Sequence, residues 1–119
     1  MNNVLTLAYI GDAIYELNIR EYLIKQGLIK VNDLQTEAIK YVSAKAQAKF
    51  LKEMIEKDFF NEEELDIIKK ARNHKSHKIK STDIVTYKHA TALEALIGYL
   101  YYQNNIKRID EIMNYIKGE

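Results

Sequence analysis

The chain has 119 residues, a formal net charge of +1, 47% apolar residues, four glycines, no proline and no cysteine. That length holds one domain, residues 1–119, and is too short for two ordinary ones. The missing cysteines exclude a disulfide framework and a thiolate metal site, and the missing prolines exclude most turn-rich β architectures in favour of helices on short loops.

In chain order, Val4 to about Gln26 reads as a first helix ended by Gly27. Leu7, Ile10, Ile14 and Leu17 form one stripe, with Ile19 and Leu23 towards another side, so this helix is expected to be buried around much of its girth. Gly11 is a notch for close approach of another helix or a ligand, or a simple packing notch. Asp12 and Glu16 share a face, with Glu16 expected to be exposed or ion-paired.

A link over Leu28 to Asn32 leads to a second helix capped by Asn32 or Asp33, with Leu34, Ala38, Ile39 and Val42 on its apolar side. Ser43 breaks that helix and caps a third, about Ala44 to Lys57, whose stripe includes Gln47, Phe50, Leu51 and Met54. Gln47 is read as a core or surface residue ahead of an RNA contact. Asn61 with Glu64 forms a capping box for a fourth helix, Glu62 to about Arg72, with Leu65, Ile68 and Ala71 inward.

Asn73 to Thr86 is the one long irregular stretch, a length that usually signals function or mobility. Thr82 or Thr86 caps a fifth helix that runs through Glu94 to about Gln103. Asn104 and Asn105 turn the chain into a last helix, Lys107 to Lys117, with Ile109, Ile112, Met113 and Ile116 inward. The apolar run Ala90–Tyr102 is too short to span a bilayer. No signal-peptide pattern opens the chain, so a cytoplasmic protein without membrane attachment is expected.

Charge is unevenly spread. Glu53 to Asp66 holds seven acids and one lysine, whereas Lys69 to His89 holds seven Lys or Arg residues, all three histidines and one acid. His74 and His77 have a spacing some metal sites use, but no third clear ligand accompanies them. The two most apolar segments, Val4–Tyr15 and Ala90–Tyr102, carry one charge each, Asp12 and Glu94. A lone carboxylate in a buried helix is unfavourable unless it is paired or protonated. Two of them point to a shared partner such as a divalent cation; the plainer alternative is that each acid caps a loop or meets a lysine.

The segments Leu7–Glu16 (LAYIGDAIYE) and Thr86–Tyr101 (TYKHATALEALIGYLY) resemble the ribonuclease III catalytic domain, in which a Gly-Asp-Ala signature and a later Glu-Ala-Leu-Ile-Gly segment each supply an essential acid. Tyr41–Ala48 (YVSAKAQA) and Ala71–Lys75 (ARNHK) resemble the short bacterial Mini-III form, which lacks a double-stranded-RNA-binding domain. The likeness spans nearly the whole chain in order. It implies an all-α helical bundle and a Mg²⁺-dependent endonuclease of double-stranded RNA that leaves 5′-phosphate and 3′-hydroxyl ends. Asp12 and Glu94 would be its catalytic and metal-holding acids. It implies a homodimer, with Tyr9 as the aromatic that reaches the partner, and a cellular substrate that is the precursor of large-subunit (23S) ribosomal RNA.

Two departures bear on the metal. The fuller family pattern has an acid one turn before the signature aspartate, where this chain has Ala8, and another three residues before the glutamate, where it has Thr91. Thr91 is left to reach an ion through a water. Arg72, Lys75, Lys78 and Lys80 suit RNA phosphates. The competing readings are a non-catalytic RNA- or ribosome-binding module of the same fold and a helical adaptor for a protein partner. The first leaves the retained acids unexplained, the second the basic stretch.

Overall fold

A computed structural model describes residues 3–74 and 83–119. Six helices and no strand are present among them: α1 (Val4–Lys25), α2 (Val31–Val42), α3 (Ala44–Glu56), α4 (Glu62–Arg72), α5 (Ile84–Tyr102) and α6 (Ile106–Lys117). The all-α expectation is met. The basic positions Lys75, Lys78 and Lys80, with His77, lie outside the described residues.

α5 is the axis. From Ala90 to Leu100 only Glu94 and Tyr99 are not buried, and α1, α3, α4 and α6 all pack against it. Its middle is built of Ala, Thr and Gly among Leu and Ile, so neighbours can approach closely from several sides. α1 is the most extensive of those neighbours. α2 has no buried residue and lies on the outside against α1 and α3.

Local chemistry sets the ends. Asn3 caps α1, accepting from the Leu5 and Thr6 amides, and Gly27 at φ 100° turns the chain out of the helix. Ser43 caps α3 through the Ala46 amide, and the Asn61–Glu64 capping box is fully formed. Both follow the sequence reading.

Other details do not. α2 begins at Val31, before the expected caps, and Lys30 at its cap position supplies no side-chain bond. Asp83, not a threonine, caps α5; it accepts from both the amide and the hydroxyl of Thr86, which lies inside the first turn. The stretch expected to be irregular is therefore shorter at its end. Leu17, Ile39 and Leu65, expected inward, are exposed. Nor is α1 covered on all sides, for Leu5, Tyr9, Leu17 and Ile24 face solvent. Its buried line runs Leu7, Gly11, Tyr15, Ile19 and Leu23, in steps of four that wind slowly round the helix.

Candidate active site

The site begins at a crossing of backbones. A Cβ on Gly11 of α1 would overlap the Glu94 carbonyl, and one on Gly98 of α5 would overlap the Leu7 carbonyl. With hydrogen at both positions the helices touch main chain to main chain. Of the readings open for Gly11, close helix approach is the one realised. Asp12 adjoins Gly11 and Glu94 lies one turn before Gly98, so the crossing sets the two acids side by side.

Their environments differ. Asp12 faces solvent, contrary to the expectation of two buried acids, while Glu94 is half-buried at the crossing with its carboxyl largely enclosed. The Glu94 carboxyl is pushed up from 4.5 to about 9, chiefly by burial, then by its hydrogen bond to Asp12 and the charge of Asp12, with Glu16 adding slightly. At neutral pH Glu94 therefore keeps a proton. Neither acid has a cation within ion-pair distance among the described residues. No described lysine is therefore the partner of either acid. Glu16, one turn on from Asp12, pairs with Arg20 at 3.8 Å, as expected.

Two further side chains flank Glu94. The Tyr15 hydroxyl donates to the Tyr41 carbonyl at 2.6 Å, and burial together with the charges of Glu94 and Glu16 disfavours its ionisation. The Gln47 amide, on α3, lies against the Glu94 carboxyl and opposes its upward shift. Gln47 Nε2 also donates to the Val42 carbonyl at 3.2 Å. Tyr41 and Val42 close α2, so two open carbonyls at its end are satisfied by side chains that border the acid. Sequence reasoning noted Gln47 without assigning it to the site and missed Tyr15. Their shared signal is position: each stands one turn from a residue already singled out, Asp12 for Tyr15 and the Ser43 cap for Gln47.

A hard divalent cation fits this donor set. The groups are all oxygen, and the two carboxyls lie within reach of each other. No group of three or more His, Cys or acidic side chains is arranged for a metal among the described residues. Such a site suits a cation that keeps most of its waters, and the pairing of His74 with His77 falls on a residue outside the described ones. Thr91 and Ala8 are both buried beside the crossing, on α5 and α1. Arg72 ends α4, half-buried. Tyr9 stands one turn before Asp12 on the solvent side of α1, 83% exposed.

Residues 5–105 match the Ribonuclease III domain family model. The chain is 44% identical over 115 residues to Mini-ribonuclease 3 of Staphylococcus aureus, covering 96% of this chain and 86% of that one. It is 48% identical over 114 residues to Mini-ribonuclease 3 of Brevibacillus brevis, covering 95% and 84%. A crystal structure of a Fusobacterium nucleatum protein superposes with a TM-score of 0.88 at 35% identity, over 98% of this chain and 94% of that one.

Proposed function

Because the chain belongs to the ribonuclease III family, and is an endoribonuclease acting on double-stranded RNA, we propose that Asp12 and Glu94 are its catalytic acids and that its reaction requires Mg²⁺. What supports the reading is the close pair of carboxyls, with no cation to balance it among the described residues. Two carboxylates about 4 Å apart repel by roughly 4 kcal/mol at an effective dielectric near 20, so without a counter-charge the pair holds a proton. Asp12 and Glu94 would hold the ion, which when bound activates water for in-line attack on phosphorus and steadies the leaving 3′ oxygen.

The protein's own part is positional. Gly11 and Gly98 fix the spacing of the acids, and the packed faces of α1, α3 and α5 keep bulk water from the inner side of Glu94. Glu94 gives up its proton before it can act as a ligand. Thr91, one turn before it, stands where the fuller pattern has an acid and would reach the ion through a water. Arg72, with Lys75, Lys78 and Lys80, holds phosphates of the duplex, read by shape and backbone since its deep groove hides the base edges.

Residues 1–119 act as one catalytic domain, and two copies pair with Tyr9 under the partner, each cutting one strand. The cellular substrate is the precursor of 23S ribosomal RNA, and the protein works in the cytoplasm. No described helix is long and apolar enough to cross a membrane. The test is cleavage of a long duplex RNA with Mg²⁺ and with a chelator, with end-group analysis and sedimentation at micromolar protein. Cleavage undiminished by the chelator would end the metal assignment, and a monomer would end the pairing.

A further inference from the structure

The outer face of α3 carries a row of cations that the core has no need of. Lys45, Lys49 and Lys52 are spaced four and three apart, so they lie along one face of the helix. All three are exposed. Their face points away from Gln47, Leu51 and Met54, which line the buried side. Lys45 and Lys52 take part in no ion pair among the described residues, and Lys49 meets Glu53 only at 3.9 Å with its side chain 72% exposed. Like charges one turn apart repel and weaken the helix that bears them.

The row is ordered with respect to the acid pair. Gln47, whose amide lies against Glu94, falls between Lys45 and Lys49 in the chain. The row therefore starts level with the acids, across a helix about 10–12 Å wide with its side chains. It stops where the acid-rich segment begins. Glu53 follows Lys52, and Glu56 takes the next place on the same face.

We propose that Lys45, Lys49 and Lys52 make the outer face of α3 a contact surface for the phosphate backbone of the duplex, separate from Arg72 on α4. This rests on the reading that the duplex is cut at Asp12 and Glu94. Double-stranded RNA is recognised mainly by shape, phosphate and 2′-hydroxyl contacts, and one binding module can cover about 16 base pairs. A duplex held at the acids thus extends well past the width of one helix. Lysine meets phosphate as a point charge, and three in line gain from release of the counterions they displace. The charge pattern also gives a direction: the duplex follows the lysines and keeps clear of Glu56 and the acids beyond it.

The experiment measures binding of a long RNA duplex over a range of salt, with a chelator present. It compares the parent, the combined variant Lys45→Gln, Lys49→Gln, Lys52→Gln, and a control, Lys25→Gln, Lys30→Gln, Lys107→Gln. The control makes the same change of net charge at exposed lysines elsewhere. The α3 variant should flatten the plot of log affinity against log salt by somewhat under three units. With the ~0.9 per contact of duplex DNA as guide, the parent then loses about 40-fold more affinity than the variant between about 50 and 200 mM salt. The control should keep a slope near the parent's. With Mg²⁺ the α3 variant should show a raised KM and little change in kcat, and its melting should hold, since exposed charges contribute little to stability. Arginine at the same three positions should restore the slope.

Equal flattening in both variants would mean that net charge matters and place does not. A parent-like slope in the α3 variant would leave the row to an acidic protein surface or to solvent. Either result overturns the proposal. Failure of the acid assignment shows separately, as cleavage undiminished in Asp12→Asn, and does not alter the comparison of slopes.

Discussion

Glu64 and Glu94 are acids set into the same helical core, yet they are treated in opposite ways. Glu64, on α4, is 1% exposed. Arg108 of α6 grips it with Nε at 2.7 Å and Nη2 at 2.9 Å, and the Asn61 amide donates to it at 3.0 Å. The same guanidinium donates to the Phe59 carbonyl at 2.7 Å and to Glu111 at 3.0 Å, and lies over the Phe59 ring. Both carboxylate oxygens of Glu64 are engaged by donors, as a buried charge demands. Glu94 has a second acid and a neutral amide for company and retains a proton. A buried carboxyl that is completed by its own chain belongs to the architecture. A half-buried one that the described residues leave short of positive charge suits something that arrives from outside.

The sharpest way to break this contrast is to neutralise each acid in place. Asp12→Asn and Glu94→Gln should each lower Mg²⁺-dependent cleavage by about a thousandfold or more, roughly 4 kcal/mol of barrier. Metal-free stability should not fall, and at neutral pH Glu94→Gln should raise it, because Gln resembles the protonated Glu94 and removes the cost of taking up that proton on folding. Single-turnover cleavage beside urea unfolding checks both halves; undiminished cleavage by either variant would remove that acid from the reaction.

On the architectural side the signs reverse. Arg108→Met strands Glu64 in the core and should lose about 3–5 kcal/mol of stability, while cleavage at temperatures where the fold persists stays near the parent's. A urea midpoint unchanged by that substitution would show that Glu64 does not need its partner.

Gly11→Ala tests the crossing that separates the two cases. The methyl meets main chain and not a movable side chain, so α1 must shift from α5 at about 1–3 kcal/mol. Since a misplacement of about 1 Å can lower rates about 100-fold, cleavage should fall by more than the stability change explains. Equal losses in both would reduce Gly11 to packing.

Acidity offers a milder probe. Glu94 binds its proton more tightly folded than unfolded, so its contribution to metal-free stability is fully present below about pH 4.5 and is lost as pH rises towards 9. The slope is at most about 1.4 kcal/mol per pH unit, and Glu94→Gln should abolish it. With Mg²⁺ the trend should oppose this, as ligation needs the proton gone and apparent affinity grows with pH. Melting curves at several pH values, with and without Mg²⁺, read both trends; parent and Glu94→Gln curves that run parallel would refute the shifted acid.

The smallest effect concerns neither acid. Arg72→Gln should weaken binding to all duplex sequences alike and flatten the plot of log affinity against log salt by somewhat under one unit, with the ~0.9 per contact of duplex DNA as guide. A loss confined to some sequences would mean that Arg72 reads bases.

Much of this molecule was legible in the chain. The Ser43 cap, the Asn61–Glu64 box and the Gly27 stop are local chemistry and stand where the sequence placed them. The pairing of Asp12 with Glu94 followed from two lone charges in the two most apolar segments. Other features depend on what arrives from far along the chain. Arg108 lies 44 residues from Glu64, and nothing in its own surroundings marks it as a core partner. Leu17, Ile39 and Leu65 were misread because apolar spacing shows which residues could be covered, not which are. On α1 the covered line includes Ala8 and Gly11, which a hydrophobicity stripe passes over for larger neighbours. Gln47 was visible as a polar residue in an apolar stripe, but its relevance depends on which helix packs over it.

The glycine crossing has one more consequence, for behaviour on heating. Cores loosen as side chains explore more rotamers, and a joint of bare backbone has no rotamers to explore. The gap between Asp12 and Glu94 should thus hold nearly constant with temperature, like a length of low-expansion alloy inside a softer casting. Catalytic competence should then end abruptly, in the same transition that unfolds α1 from α5, with no gradual decline beforehand beyond what RNA affinity contributes.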